Sequence, residues 1–269
     1  MKNKVVVITG ASSGIGLACA REFAGRGACL CLAARSIDKL EEIKEELEAK
    51  GSRVLVVKTD VSEELDCKNL VAGCVQEFGR IDILVNNAGI SMRALFKDLD
   101  LKVMKQVMDI NFWGTVYCTK YALPYLLVSR GSVVGISSIA GFVGLPGRTG
   151  YSASKFAMHG FLETLRCENL KTGLHVLIAA PGFTASNIRK TALTADGSQQ
   201  GETPRKESKM MTAEEVALHL YKAIAKRKRT LVLTFVEGKL TVFLKKLFPS
   251  LLERMAYNHM AKEPDSPFK

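Results

Sequence analysis

Along the first 235 positions, short unbroken apolar runs alternate with longer segments whose apolar residues recur every three or four positions. Val5-Val6-Val7-Ile8 is the first such run, continuous and β-branched, as expected of a parallel strand buried on both faces. Thr9 to Gly16 follow as a turn, then an amphipathic helix to about Arg26. Further strands are predicted over 28–34, 53–58, 81–85, 132–136, 174–179 and 230–235, which makes seven. Helices are predicted over 36–50, 101–128, 151–171 and 212–225, with Ser62 as the N-cap of one more. This alternation predicts an α/β fold, a single doubly wound domain on a seven-stranded parallel sheet. We assign it residues 1–237, including a long loop at 184–211, and treat 238–269 as a C-terminal amphipathic helical extension. Two details break the pattern. Asn111 and Gly114 are poor interior residues for the helix over 101–128, so either that helix bends or Asn111 works at a site. Residues 185–211 are rich in Thr, Ser, Gly and Lys with little periodicity, a loop or lid long enough to be functional.

With 269 residues, 47% of them hydrophobic, the chain can bury a large core. Its seven cysteines are odd in number, form no C-x-x-C pair and mostly fall in apolar-periodic segments, where a thiol behaves as a small hydrophobe. They predict reduced thiols in an intracellular, cytoplasmic protein, with neither a disulfide framework nor a metal site. No apolar run reaches the ~18 residues of a membrane span, and Met1-Lys2-Asn3-Lys4 leads straight into a strand without a signal-peptide pattern. The net charge of +11 is uneven. From Arg205 onward fourteen Lys/Arg face seven Asp/Glu, an excess of seven. The bland reading is a solvated surface, but a basic amphipathic end segment also suits anionic lipid or an acidic partner.

Candidate chemistry gathers in Ser137-Ser138-Ile139-Ala140-Gly141 and Tyr151-Ser152-Ala153-Ser154-Lys155. Tyr and Lys four apart share one helix face, so the ammonium can sit beside the phenol and favour its anion. Bringing a Tyr pKa from ~10 to about 7 takes roughly 4 kcal/mol, too much for one cation. A second positive charge, such as an oxidised nicotinamide, and a Ser hydroxyl on the reacting oxygen would complete the set. Carbonyl/alcohol chemistry is the implication. Six Tyr and 38 Lys+Arg make the pair a weak signal alone. The glycine-rich turn strengthens it: Gly10 permits a tight turn, Gly14 lets backbone approach a pyrophosphate, and Gly16 allows close helix–strand packing. At the end of the second strand, where an acidic residue would serve NAD(H), the chain has Ala34-Arg35-Ser36. A guanidinium beside a hydroxyl suits a 2′-phosphate, so NADP(H) is preferred, while Asp38 keeps NAD(H) open. Asp60, Asn86-Asn87-Ala88-Gly89 and Pro181-Gly182-Phe183-Thr184 stand at further strand ends, and a structural tie is an equal reading for Asn86.

Over about residues 3–235 the chain closely resembles the short-chain dehydrogenase/reductase family. The match uses Thr9-Gly10-x-x-x-Gly14-x-Gly16, Asp60, Asn86-Asn87-Ala88-Gly89, Asn111, Ser138, Tyr151-x-x-x-Lys155 and Pro181-Gly182, in family order and spacing. The resemblance implies a Rossmann-type fold and a catalytic tetrad of Asn111, Ser138, Tyr151 and Lys155. Lys155 would also hold the nicotinamide ribose, and Asn111 a proton-relay water. The turn residues Gly10, Ser12, Ser13, Gly14, Ile15 and Gly16 would bind the cofactor, Asp60 and Val61 flank the adenine, and Asn87, Ala88 and Gly89 lie on the adenine-ribose side. Pro181, Gly182, Thr184 and Ser186 would border the nicotinamide. The implied partners are a small-molecule carbonyl or alcohol bound at Ser138 and Tyr151 and a second copy or more of the chain, as homodimer or homotetramer, with no nucleic acid. One departure stands out: the Asp-Gly-Gly segment that ends many members is missing. Leu240, Phe243, Leu244, Leu247, Phe248, Leu251, Leu252 and Met255 follow instead, interleaved with Lys239, Lys245, Lys246 and Arg254. This tail resembles the lipid-directed, membrane-associated reductases, including acyl/alkyl-dihydroxyacetone-phosphate reductase. It implies a lipophilic substrate, peripheral membrane contact and a tail that helps cover the substrate entrance, while an ordinary helix packed on its own domain or on a second subunit would carry the same stripe. The competing readings are a 3-oxoacyl-type or steroid-type reductase, a non-catalytic nucleotide-sensing module of the same fold, and a membrane-surface scaffold.

Overall fold

Each apolar run forms a strand: β1 (Val5–Thr9), β2 (Cys29–Ala34), β3 (Val54–Lys58), β4 (Ile83–Asn86), β5 (Ser132–Ile136), β6 (His175–Ala180) and β7 (Thr230–Val232). The computed structural model describes residues 1–184, 187–201, 210–262, 266 and 268. The strands make one parallel sheet in the order β3-β2-β1-β4-β5-β6-β7. Its central strands are buried on both faces, which is why they carry continuous apolar runs and no alternation.

The helices are α1 (Gly14–Ala24), α2 (Ile37–Glu48), α3 (Glu64–Phe78), α4 (Leu101–Met108), α5 (Gly114–Val128), α6 (Thr149–Glu168), α7 (Ala213–Ala225), α8 (Thr241–Leu247) and α9 (Pro249–Ala261). Phe23, Leu40 and Leu220 bring α1, α2 and α7 onto one face of the sheet. Leu70, Leu126 and Leu162 bring α3, α5 and α6 onto the other. A smaller apolar cluster of Met92, Leu99, Val103, Val107 and Leu193 packs Tyr151 beneath the loops after β4 and β6. This is a doubly wound, Rossmann-like α/β fold with C-terminal helices.

Three predicted details change. The helix over 101–128 is α4, a single π-helical turn at Asp109–Trp113, and α5, so the chain widens at Asn111 without breaking. Ser62 does not cap α3. Its N–H and Oγ both donate to Asp60 Oδ1, at 3.0 and 2.7 Å, in a local turn, and the helix begins at Glu64 after Glu63. The strand predicted over 230–235 stops at Val232, because Thr234 adopts φ 64° and Phe235–Leu240 wind into a second π-helical turn, which runs across the 237/238 boundary. No helix among the described residues is long and apolar enough to cross a membrane.

The amino edge of the sheet is tied by Asp82, whose side chain is 3% exposed. It accepts hydrogen bonds from Lys4 Nζ at 2.9 Å, Val5 N at 3.0 Å and Arg80 Nη2 at 2.6 Å. Burial alone would raise the carboxyl's pKa, but these donors outweigh it and hold Asp82 below the ordinary Asp value. A depressed folded value means the tie is fully present above the unfolded pKa near ~3.9 and is lost as pH falls through the folded value. Asp82→Ala should therefore lower stability in urea by about 2 kcal/mol at pH 7. The gap to the parent should narrow as unfolding is repeated between pH 5 and pH 3.

Candidate functional site

The carboxyl ends of the strands open into one cavity of about 550 Å³. It lies where the strand order reverses beside β1, so the crossovers after β1 and β4 leave on opposite faces and part above it. The β1–α1 turn forms its floor. Gly10 (φ 64°) and Gly14 (φ 53°) hold left-handed positions there, and a Cβ on Gly16 would collide with the Gly10 carbonyl. Asn87 Nδ2 donates to Thr9 O at 2.9 Å and Gly10 O at 3.1 Å, while Thr9 Oγ1 accepts from Asn87 N and Ala88 N at 3.0 and 3.1 Å. The turn and the end of β4 are thus one rigid cradle, with the N-terminus of α1 aimed across it.

Of the predicted site residues, Gly10, Ser12, Ser13, Gly14, Ile15, Arg35, Asp60, Val61, Asn87, Ala88, Gly89, Ser138, Tyr151, Lys155, Pro181, Gly182 and Thr184 all line this one cavity. Gly16 stands behind the turn, and Ser186 lies outside the described residues. Arg35 and Ser36 share their end with Lys39, which carries a second cation one helical turn on. Asp38, the competing acid, is exposed in the first turn of α2 and does not line the cavity. Asn86 is a structural tie, its Nδ2 donating to Thr119 Oγ1 at 3.0 Å.

At the opposite end, Ser138 and Tyr151 line the cavity together, and the Ser138 hydroxyl acts on the phenol by lowering its pKa. The Ser138 Oγ also accepts from Ala140 N at 3.2 Å, which fixes its rotamer. Lys155 stands beside Tyr151, as its spacing predicts, and has a further partner. Its Nζ lies over the face of the Tyr151 ring, 5.8 Å from the centre, and donates to Ile136 O at 2.9 Å. Desolvation raises the phenol's pKa above the ordinary Tyr value, and what pulls it down is the Ser138 hydrogen bond and the charge of Arg148. Burial lowers Lys155 to about 8.

Asn111 is fully buried and does not line the cavity. Its Oδ1 accepts from Ile90 N at 2.8 Å, and its Nδ2 donates to Ile90 O and Ser154 Oγ, both at 2.9 Å. The π-helical turn aims this amide inward to hold the strand after β4 against α6. Arg148, three residues before Tyr151, was not signalled by any motif; a cation this close to a candidate phenol was the available clue. Its Nη1 donates to Ser91 Oγ at 2.9 Å and to Met92 O at 3.3 Å. Arg189, from the loop after β6, also lines the cavity. No residue of 235–262 lines it.

A family model described as short chain dehydrogenase matches residues 4–197. The chain belongs to the short-chain dehydrogenase family. It is 36% identical over 271 residues to dehydrogenase/reductase SDR family member 7B of Mus musculus, covering 99% of this chain and 84% of that protein. It is 46% identical over 187 residues to 11-beta-hydroxysteroid dehydrogenase 1A of Arabidopsis thaliana, covering 69% of this chain and 53% of that one. Among solved structures it superposes on a short-chain dehydrogenase/reductase of Burkholderia phymatum in complex with NAD, with TM-score 0.83 and 26% identity over 93% of this chain and 95% of that one. An alcohol dehydrogenase of Thermococcus sibiricus complexed with 5-hydroxy-NADP gives TM-score 0.76 and 26% identity, over 86% and 96%. As a member of this family the protein is an oxidoreductase enzyme that uses a nicotinamide cofactor. The cavity fits one: a floor of left-handed Gly10 and Gly14 at the N-terminus of α1, cations at one end, and a hydroxyl pair with an ammonium at the other.

Because Asn111 makes three hydrogen bonds with no exposure, Asn111→Ala should cost on the order of 3 kcal/mol in urea unfolding. A loss under about 1 kcal/mol would mean that the π-helical turn stands without it.

Proposed function

We propose that this dehydrogenase/reductase is NADP(H)-dependent and transfers a hydride between the nicotinamide and a lipophilic carbonyl or secondary alcohol. The observation that carries this reading is the group of Ser138, Tyr151 and Lys155 at one end of a cavity whose other end holds Arg35 and Lys39. The bound cofactor supplies or accepts the hydride. Ser138 Oγ, aimed by Ala140 N, hydrogen-bonds and polarises the substrate oxygen. Tyr151 passes the proton: a phenol with a raised pKa is protonated at neutral pH, the form that reduction needs. Lys155 carries its charge below about pH 8 and holds the ribose beside the nicotinamide. Asn111 completes the tetrad by fixing Ile90 and Ser154 around these groups.

Arg35, Ser36 and Lys39 support NADP(H), since they set a guanidinium, a hydroxyl and an ammonium where a 2′-phosphate would lie. Ile90, Ile110, Leu145, Phe183 and Leu193 line the same cavity and support a lipophilic substrate. The steroid in the name of the Arabidopsis relative is in keeping with that. On the tail, Phe243, Leu247, Phe248 and Leu251 are each more than half exposed, with Lys239 and Lys246 beside them. Such a face supports peripheral contact with an anionic membrane. Exposed Trp113, stacked on Tyr117, supports a homodimer or homotetramer through α5 and α6. The free thiols support the reducing cytoplasm. A nucleotide sensor would not need the Ser138–Tyr151 pair.

The direct test is oxidation of NADPH against ketones of graded chain length. Efficiency should rise with chain length, and Tyr151→Phe should cut turnover by at least ~10²-fold while NADPH still binds within about twofold of the parent. A variant within tenfold of the parent would remove Tyr151 from proton transfer. Separately, Arg35→Ala should reduce the preference for NADPH over NADH by about 10- to 100-fold when both are titrated by fluorescence. An unchanged ratio would take Arg35 out of the site.

A further inference from the structure

His159 lies one turn beyond Lys155 on α6, so Tyr151, Lys155 and His159 follow one another at four-residue intervals along a single helix face. The end of β5 runs opposite that face, and two of the groups grip it. Lys155 Nζ donates to Ile136 O at 2.9 Å and His159 Nε2 is hydrogen-bonded to Ser137 Oγ at 2.6 Å, while Ser138 acts on the Tyr151 phenol by lowering its pKa. Two consecutive residues are thus pinned by two successive turns of one helix, and the next, Ser138, is left beside the phenol. His159 is buried, does not line the cavity, and has the Phe142 ring edge-on to it with centroids 4.5 Å apart. The fit is specific at Gly141, where a Cβ would come within 2.6 Å of His159 Nε2 and 2.7 Å of Ser137 Oγ. Any larger residue there would force the two apart.

We propose that His159 is a positioning residue for the reaction: it holds the Ser137 hydroxyl and so sets the turn that presents Ser138 to Tyr151. The inference rests on the proposed roles of Ser138 and Tyr151. The chemistry is that of a lock. A neutral imidazole exchanges one hydrogen bond with a hydroxyl and keeps it, because desolvation, with the nearby Lys155 charge, lowers its pKa to about 4. Ser137 has little freedom left, with its N–H donating to Ala179 O at 2.7 Å. Without the imidazole, the Ser137 side chain can turn and the neighbouring Ser138 Oγ loses its fixed approach to the phenol.

His159→Phe keeps the ring volume against Phe142 and removes the hydrogen bond; Ser137→Ala removes its other half without altering the helix, should the first variant fold poorly. Either should lower kcat about tenfold or more, as a small misplacement does, with KM and NADPH affinity within about twofold. The double variant should be no slower than the slower single, because the pair acts as a unit. His159→Gln, which can carry an amide to the Nε2 position, should recover most of the loss. The Tyr151 phenol, titrated by ultraviolet difference absorbance against Tyr151→Phe, should shift upward in both single variants as Ser138 moves off the phenol and its lowering influence weakens. That titration needs no turnover, so it decides the point even if no carbonyl compound proves to be a substrate. Unchanged kcat and an unmoved phenol, with only stability lowered, would overturn the proposal and leave His159 as core packing.

Discussion

A lysine ammonium withdrawn from water is the constraint that the rest of this site answers to. Lys155 is 3% exposed, and an uncompensated charge at such a place costs several kcal/mol. The protein offsets this in part through the Ile136 carbonyl, and the fall of the pKa to about 8 corresponds to a residual penalty on the order of 3 kcal/mol. An ammonium under that strain favours any oxygen-rich group brought to the same end of the cavity. Its neighbours are shaped to leave it there. A Cβ on Gly89 would stand 3.0 Å from Asn111 Oδ1 and 3.5 Å from Lys155 Nζ, and Asn111 spends its whole amide on Ile90 and Ser154.

The sheet supports this by dividing its labour between its edges. Asp82 gathers Lys4, Val5 and Arg80 at the amino edge, the end of the sheet opposite the cavity, and its hydrogen bonds are about keeping β1 and β4 together. At the carboxyl edge the same two strands are joined by Thr9 and Asn87, but there the bonds shape the glycine turn that forms the cavity floor. Register carries the constraint from one edge to the other. Val6, Val7 and Ile8 pair in order with Ile83, Leu84 and Val85, so a shift at the Asp82 end would displace Asn87 from Gly10.

The sheet and most of the cavity lining were legible in the sequence because both are written locally. A buried parallel strand is a continuous apolar run, and each ligand-facing segment follows its strand within a few residues. What was illegible depends on groups far apart in the chain. Asn111 could be read as a helix bend or as a site residue, and only its amide's bonds to Ile90 and Ser154 show why the turn widens there. Ser62 had the right chemistry for a cap, yet the Asp60 carboxylate took its hydroxyl first. Strand β7 ended early because Thr234 entered a conformation that propensity disfavours for a β-branched residue. Arg148 and His159 belong to no motif, and their meaning lies in what faces them.

The Tyr151–Lys155 spacing shows how much of a motif's meaning depends on what faces it. Four residues do put both groups on one helix face, but the helix also aims the ammonium past the ring toward Ile136. In this geometry the phenol feels Ser138 and Arg148 as its stabilising neighbours, and desolvation still leaves its pKa above the ordinary value. The phenol's neighbours and the ammonium's anchor are therefore different groups: Ser138 and Arg148 act on the first, and the Ile136 carbonyl holds the second. The end of β5 joins them, since Ile136 anchors the ammonium while Ser138, two residues on, acts on the phenol. A rigid Ile136–Ser138 segment is what lets two groups with different tasks keep one mutual geometry.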